Sequence, residues 1–88
     1  MKSEVKDSFN EDLKKLSAIG NTAAQILWRR VNEVLETPRA GTGKPKQLKG
    51  YGPRVVWSRR IVGKHRLVYE IKEDCIIFLS CYGHYEDH

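Results

Sequence analysis

No apolar run in this sequence approaches the ~20 residues that span a bilayer. The N-terminus also lacks the basic, apolar and small-residue succession of an export signal. A soluble, cytoplasmic protein with no membrane partner is expected. Cysteine is scarce, with only Cys75 and Cys81 present. Both fall in what reads as one strand, about 20 Å apart at a rise of ~3.3 Å per residue. Bridged Cα atoms lie within ~7 Å, so a disulfide between the two is excluded, and free thiols suit a reducing compartment. His65, His84, His88 and the cysteines show no zinc-ligand spacing, so no metal site is expected. Gly41-Thr42-Gly43-Lys44-Pro45 lacks the spacing of a phosphate-binding glycine loop, and its proline disrupts a helix start. Internal repeats and low-complexity tracts are missing as well.

What remains is a short, basic chain. Its 88 residues allow one domain, 1–88, because so short a chain cannot bury two independent cores. Sixteen Lys and Arg stand against 11 Asp and Glu, a formal charge of +5, and the isoelectric point is near 9.4. Such a balance favours a polyanionic partner, either nucleic acid or an acidic protein segment.

Lys2 to Asp7 alternates weakly and marks an N-terminal strand only poorly. Ser8 and Glu11 have capping-box spacing, and Phe9, Leu13 and Leu16 recur at helical intervals, predicting a helix of about two turns. Gly20-Asn21 stops it, and Asn21 is the expected cap of a second helix. There Ala24, Leu27, Trp28, Val31, Val34 and Leu35 form an apolar stripe, with Arg29, Arg30, Asn32 and Glu33 facing water. Thr37-Pro38 ends that helix. Thr37 to Pro45, with two glycines and two prolines, reads as a surface loop. Strand segments follow at about Arg54 to Ile61, His65 to Ile71 and Cys75 to Tyr82. Their short connections allow only antiparallel hairpins. The expected fold class is α+β: an antiparallel sheet of three to four strands with a two-helix hairpin packed on one face.

In the first of these strands Val55, Trp57, Arg59 and Ile61 share one parity, while Val56, Ser58 and Arg60 share the other. If the loop Val62 to Lys64 sets an odd register, Ile61 lies opposite His65 and Arg60 opposite Arg66. Like charges directly across a hairpin destabilise it unless an anion lies beside them, and a phosphate is the natural candidate. Pairing of these arginines with Glu70 or the C-terminal acids is the structural alternative. The last strand runs into His84-Tyr85; a histidine there can move a proton near neutral pH, and a tyrosine can stack on a base.

Gly41-Thr42-Gly43-Lys44-Pro45, Leu48-Lys49, Trp57-Ser58-Arg59-Arg60-Ile61, His65-Arg66-Leu67-Val68-Tyr69 and His84-Tyr85, taken together and in order, resemble the Txe/YoeB family of the RelE/ParE toxin superfamily. The resemblance implies a RelE-like fold. It also implies the toxin of a type II toxin-antitoxin system, an endoribonuclease that cuts messenger RNA on the ribosome and inhibits translation. Such enzymes use the RNA's own 2′-hydroxyl as nucleophile, without metal or other cofactor. By the same resemblance the catalytic residues are His84, Arg66 and Tyr85. Lys49 and Arg60 match supporting basic positions, and Lys44, Lys46 and Arg59 complete the candidate phosphate-binding set. The implied partners are an antitoxin of the YefM/Axe kind, the ribosome and its messenger, promoter DNA only as the toxin-antitoxin complex, and a second copy of the chain.

One departure stands out. Family members commonly read Gly-Lys-Pro-Glu where this chain has Gly43-Lys44-Pro45-Lys46, so a lysine replaces the glutamate usually assigned as general base. A lysine of ordinary pKa is almost fully protonated at pH 7. The favoured reading makes His84 the base with a cation assisting; Lys46 acting as base and an impaired enzyme are the others. An impaired toxin would act by occupying the ribosome or by partnering the antitoxin in repression. A free-standing RNA-binding module reading through Tyr51, Trp57 and surface arginines ranks last, because strand aromatics are more often core.

Overall fold

The computed structural model describes residues 2–83. His84 and Tyr85, expected in the catalytic set, lie outside the described residues. The chain runs β1 (Lys2–Val5), α1 (Asp7–Ile19), α2 (Asn21–Glu36), β2 (Lys46–Gln47), β3 (Val55–Arg60), β4 (Arg66–Lys72) and β5 (Cys75–Ser80). Neither helix is long and apolar enough to cross a membrane.

Helix α1 is 13 residues long, well beyond the two turns expected. Its entry also differs from the expected capping box. Lys6, extended at φ −84° and ψ 158°, is the N-cap and offers no side-chain bond. Its carbonyl instead accepts the amides of Phe9 and Asn10, while Asp7 places a negative charge at the positive end of the helix dipole. The Ser8 hydroxyl, one residue inside the helix, donates to the Leu79 carbonyl and so ties α1 to β5. The preceding strand sets where α1 starts, which leaves Ser8 inside the helix.

Gly20, and not Asn21, separates the helices and forms the cap of α2. The buried stripe of α2 is Ala23, Leu27, Val31 and Val34. It is rotated from the expected one: Ala24 and Leu35 are only half-buried. Trp28 is 47% exposed and meets Phe9 edge-on at 6.3 Å. Thr37 closes the helix by returning its amide to the Glu33 carbonyl.

The sheet has five strands in the order β1-β5-β4-β3-β2. The meander β3-β4-β5 is antiparallel as expected. Both edges differ from the expected sheet. Strand β1 pairs parallel to β5, making the sheet mixed, and the two-residue β2 pairs antiparallel with β3. The register across β3 and β4 is the expected one: Arg60 faces Arg66, and the Ile61 amide donates to the His65 carbonyl at 3.0 Å.

Both helices cover one face of this sheet. Phe9, Leu16, Leu27, Val31 and Val34 pack there on Leu67, Tyr69, Ile76 and Phe78. Fully burying one such side chain stabilises the fold by about 1.5–3 kcal/mol. Among the described residues the opposite face has no helix over it, and it carries a smaller apolar cluster of Leu48, Val56 and Val68, flanked by Tyr51 and Leu79. A register shift between Val68 and Tyr69, paired with Ser80 and Phe78, leaves Leu79 as the extra residue of β5. Beyond it Cys81 turns into the helix-side core.

Candidate functional site

The side of the sheet without helices holds the candidate site. Partners directly opposite in a sheet share a face, so Lys46 sits with Ser58, and Arg60 with Arg66. Ser58 and Arg60 are two apart in β3 and therefore also share that face. Lys46, Ser58, Arg60 and Arg66 are thus brought to one surface, as strand parity and hairpin register imply for the last three.

Each of the two arginines is held differently. Arg66 is half-buried, and its Nε donates to the hydroxyl of the fully buried Ser58 at 2.9 Å. Its Nη2 approaches the Lys44 carbonyl at 3.4 Å. Burial, and secondarily the charge of Arg60, push the Arg66 pKa below its ordinary value. A cation disfavoured in this way is stabilised by a nearby anion. Arg60 exposes its guanidinium, but its backbone is fixed at both ends. Its amide donates to the Gly43 carbonyl at 2.7 Å, and its carbonyl accepts Nε of Arg30 at 3.1 Å. Arg30 is in turn paired with Glu33 at 3.1 Å. Among the described residues neither Arg60 nor Arg66 forms an ion pair. A hollow of about 380 Å³ lies between them, completed by Gly63 and Lys64.

Glu70, the structural alternative as partner of these arginines, is engaged elsewhere. It accepts two bonds from Arg54, the residue before β3, at 2.8 and 3.2 Å. The Arg54 hydrogen bonds hold its carboxyl below the usual range against the opposing effect of burial. Arg54 also lies over the Tyr51 ring at 5.6 Å. With Lys49 these two line a second hollow of about 430 Å³.

Arg59 requires a correction. Expected among the phosphate-binding residues, it points to the helix side and is wholly buried. Its Nη2 donates to the carbonyls of Thr37 and Ala40, each at 2.9 Å, and more weakly to that of Pro38 and to the Tyr69 hydroxyl, each at 3.4 Å. Tyr69 itself donates to the Pro38 carbonyl at 2.6 Å. Arg59 therefore fixes the loop between α2 and β2 from inside, and no phosphate in solvent reaches it. The reason is the alternation of the strand, which places residue 59 with Trp57 and Ile61. Gly43 in that loop has φ 91°, and a Cβ there would stand 2.6 Å from Arg59 Cγ and 2.9 Å from the Arg60 carbonyl. Only glycine fits this crossing.

Lys44 is exposed on the same loop, with φ 51°, and Lys49 follows the buried Leu48. Two contributors escape sequence reasoning. Parity puts Ser58 on the right face but gives it no role, although its short hydroxyl beside Arg60 in an apolar strand is the available signal. His65 enters the sequence reading as a motif residue, the register partner of Ile61 and a rejected zinc ligand, with no role at the site, yet its Nδ1 accepts the Gly83 amide at 2.9 Å. Among the described residues no group of three or more His, Cys, Asp and Glu side chains is placed to hold a metal ion.

Two helices on one face of a five-stranded mixed sheet make a RelE/YoeB-like toxin fold, as superposition on solved toxins shows. The chain superposes on a YoeB/ParE toxin from Agrobacterium tumefaciens with a TM-score of 0.84 and 30% identity, covering 97% of this chain and 100% of that one. It also superposes on one chain of the YoeB-YefM toxin-antitoxin heterotetrameric complex from Staphylococcus aureus with a TM-score of 0.77 and 27% identity, over 97% of this chain and 98% of that one. A Toxin YoeB from Mycobacterium bovis is 38% identical over 79 residues, 90% of this chain and 91% of the relative. The profile of the YoeB-like toxins of bacterial type II toxin-antitoxin systems matches residues 5–85, and the chain belongs to that family.

Proposed function

We propose that this toxin is a ribosome-dependent, metal-independent messenger-RNA endoribonuclease that arrests translation. The observation that carries the reading is Arg60 set directly opposite Arg66 on the sheet face away from α1 and α2, without an acidic partner among the described residues. Two like charges so placed repel one another, and a phosphodiester bound between them converts that repulsion into attraction.

In the proposed reaction the 2′-hydroxyl of the RNA loses its proton to a base and attacks the adjacent phosphorus, and the leaving 5′-oxygen takes up a proton. Arg66, oriented through Ser58, holds the phosphate and stabilises the added negative charge of the transition state. Arg60, Lys44, Lys46 and Lys49 hold the strand on either side. His84 serves as the proton-transfer residue and Tyr85 orients the substrate; the lysine at position 46 makes the histidine the base in place of a glutamate.

Partners follow the same reading. A YoeB from Staphylococcus aureus is solved in complex with YefM, and an acidic antitoxin of that kind would mask this cationic face by charge complementarity. Promoter binding by the toxin-antitoxin complex, pairing of two toxin copies and residence in the cytoplasm belong to this proposal.

The test is induction of the parent and a His84→Ala/Arg66→Ala double variant in a bacterial host, with primer extension on a translated messenger. Cuts with the parent and none with the variant are expected. Intact messenger with both would instead assign the protein to ribosome or antitoxin binding, with Lys46 marking the lost base.

A further inference from the structure

We propose that His65 is a positioning residue: by accepting the Gly83 amide it sets the point from which the chain continues into His84. The catalytic part of the test rests on the ribonuclease reading above, whereas the structural part does not.

The base of the His65 side chain is fixed first. Its amide donates to the Val62 carbonyl at 2.9 Å, and its own carbonyl accepts the Ile61 amide at 3.0 Å. The residue is only 8% exposed. The imidazole has two specific contacts. Nδ1 accepts the Gly83 amide at 2.9 Å, which assigns the neutral ring's proton to Nε2. The Tyr82 ring lies against it with centroids 4.4 Å apart and planes inclined at 30°, and Lys15 from α1 sits 5.9 Å from that tyrosine ring.

Two residues earlier the Cys81 amide donates to the Asp12 carboxylate at 3.0 Å. The exit of β5 is thus held at residues 81 and 83, by α1 and by the β3-β4 loop. Gly83 has φ 104°, a conformation that side-chain-bearing residues rarely adopt, so the bend is a specific one. His65 is also the chain neighbour of Arg66. One short segment therefore carries the phosphate-holding arginine on one residue and, on the other, the anchor for the strand end that leads to the histidine.

Burial alone would be served by any ring of this size, whereas positioning needs the acceptor. His65→Phe keeps the ring and removes the acceptor; His65→Asn places an oxygen close to where Nδ1 stood. Each is compared with the parent by hydrogen exchange at the Gly83 amide in the purified chain and by cleavage on programmed ribosomes. For His65→Phe we expect Gly83 exchange to accelerate roughly tenfold and kcat to fall roughly tenfold, as the loss of one hydrogen bond implies, with KM for ribosomes unchanged. His65→Asn should recover most of both.

Unchanged Gly83 protection in His65→Phe, parental kcat in that variant, or an Asn variant as defective as the Phe variant would overturn the inference. So would a rise in KM at constant kcat. If His65→Phe does not fold, the Asn variant decides alone: retained Gly83 protection upholds the anchor and its loss refutes it. If the parent itself cleaves nothing, the ribonuclease reading fails, and the Gly83 exchange data still decide the anchor.

Discussion

Replacing Gly43 by alanine tests the crossing of the α2-β2 loop over Arg59, on which the placement of Arg60 and Lys44 depends. Two costs are separable. The backbone at φ 91° is one that an L-residue adopts only under strain, a penalty of about 1–3 kcal/mol. The new methyl group would also stand 2.6 Å from Arg59 Cγ and 2.9 Å from the Arg60 carbonyl. One of these is backbone, and the other belongs to a side chain pinned by the carbonyls of Thr37 and Ala40, so neither moves aside freely. Overpacking of this kind adds about 1–3 kcal/mol.

Gly50 supplies the control. Its φ is 88°, nearly the same, and a methyl group added there would meet nothing within 4 Å. Gly50→Ala therefore carries the backbone penalty alone. In a domain of this size each 1 kcal/mol moves Tm by roughly 4–8 °C. Thermal unfolding followed by circular dichroism should accordingly show Gly43→Ala melting about 5–20 °C below Gly50→Ala. Equal melting temperatures would refute the close packing of Gly43 on Arg59 and, with it, the account of how the loop is held.

Other measurements bear on neighbouring parts. Ser58→Ala removes the acceptor of Arg66 Nε; a hydrogen bond to a charged group contributes about 1.5–3 kcal/mol, so cleavage should fall by roughly ten- to a hundredfold, and parental activity would deny Ser58 its orienting role. The Glu70 carboxyl is held below its ordinary pKa by Arg54. Its stabilisation is therefore present above the unfolded-state value, about 4.3, and is lost as pH falls through the lower folded-state value. The melting-temperature gap between the parent and Glu70→Gln should hold at neutral pH and narrow as pH falls below about 4.3 and through the lower folded-state value; a gap independent of pH would contradict this. The Cys81 thiol, pushed up to about 12 by burial and then by Asp12, should resist alkylation at about pH 8 while the half-buried Cys75 is modified. Mass-spectrometric labelling that finds both equally modified would count against the packing around Cys81.

Short-range order in the chain determined a good part of this protein. The three-residue loop Val62 to Lys64 leaves little choice of hairpin register, which is why Arg60 opposite Arg66 is legible from local sequence alone. Helical spacing locates both helices because an apolar stripe must face the sheet, and the linked motifs of the C-terminal half point to the toxin family. Tertiary structure decided the rest. β1 pairs with β5 from the far end of the chain, and an edge strand with every residue exposed leaves no apolar alternation to detect. The rotation of the α2 stripe, with Trp28 outside it, depends on where α1 and Phe9 lie.

Arg59 shows the limit most clearly. Its parity groups it with Trp57 and Ile61, but its charge argues for solvent. The carbonyls that partner its Nη2 come from Thr37 and Ala40, some twenty residues away in a loop whose course no local pattern dictates, while its buried Nε and Nη1 have no hydrogen-bond partner among the described residues. Burial of a charge depends on partners gathered from distant segments, and that gathering is a property of the folded chain alone.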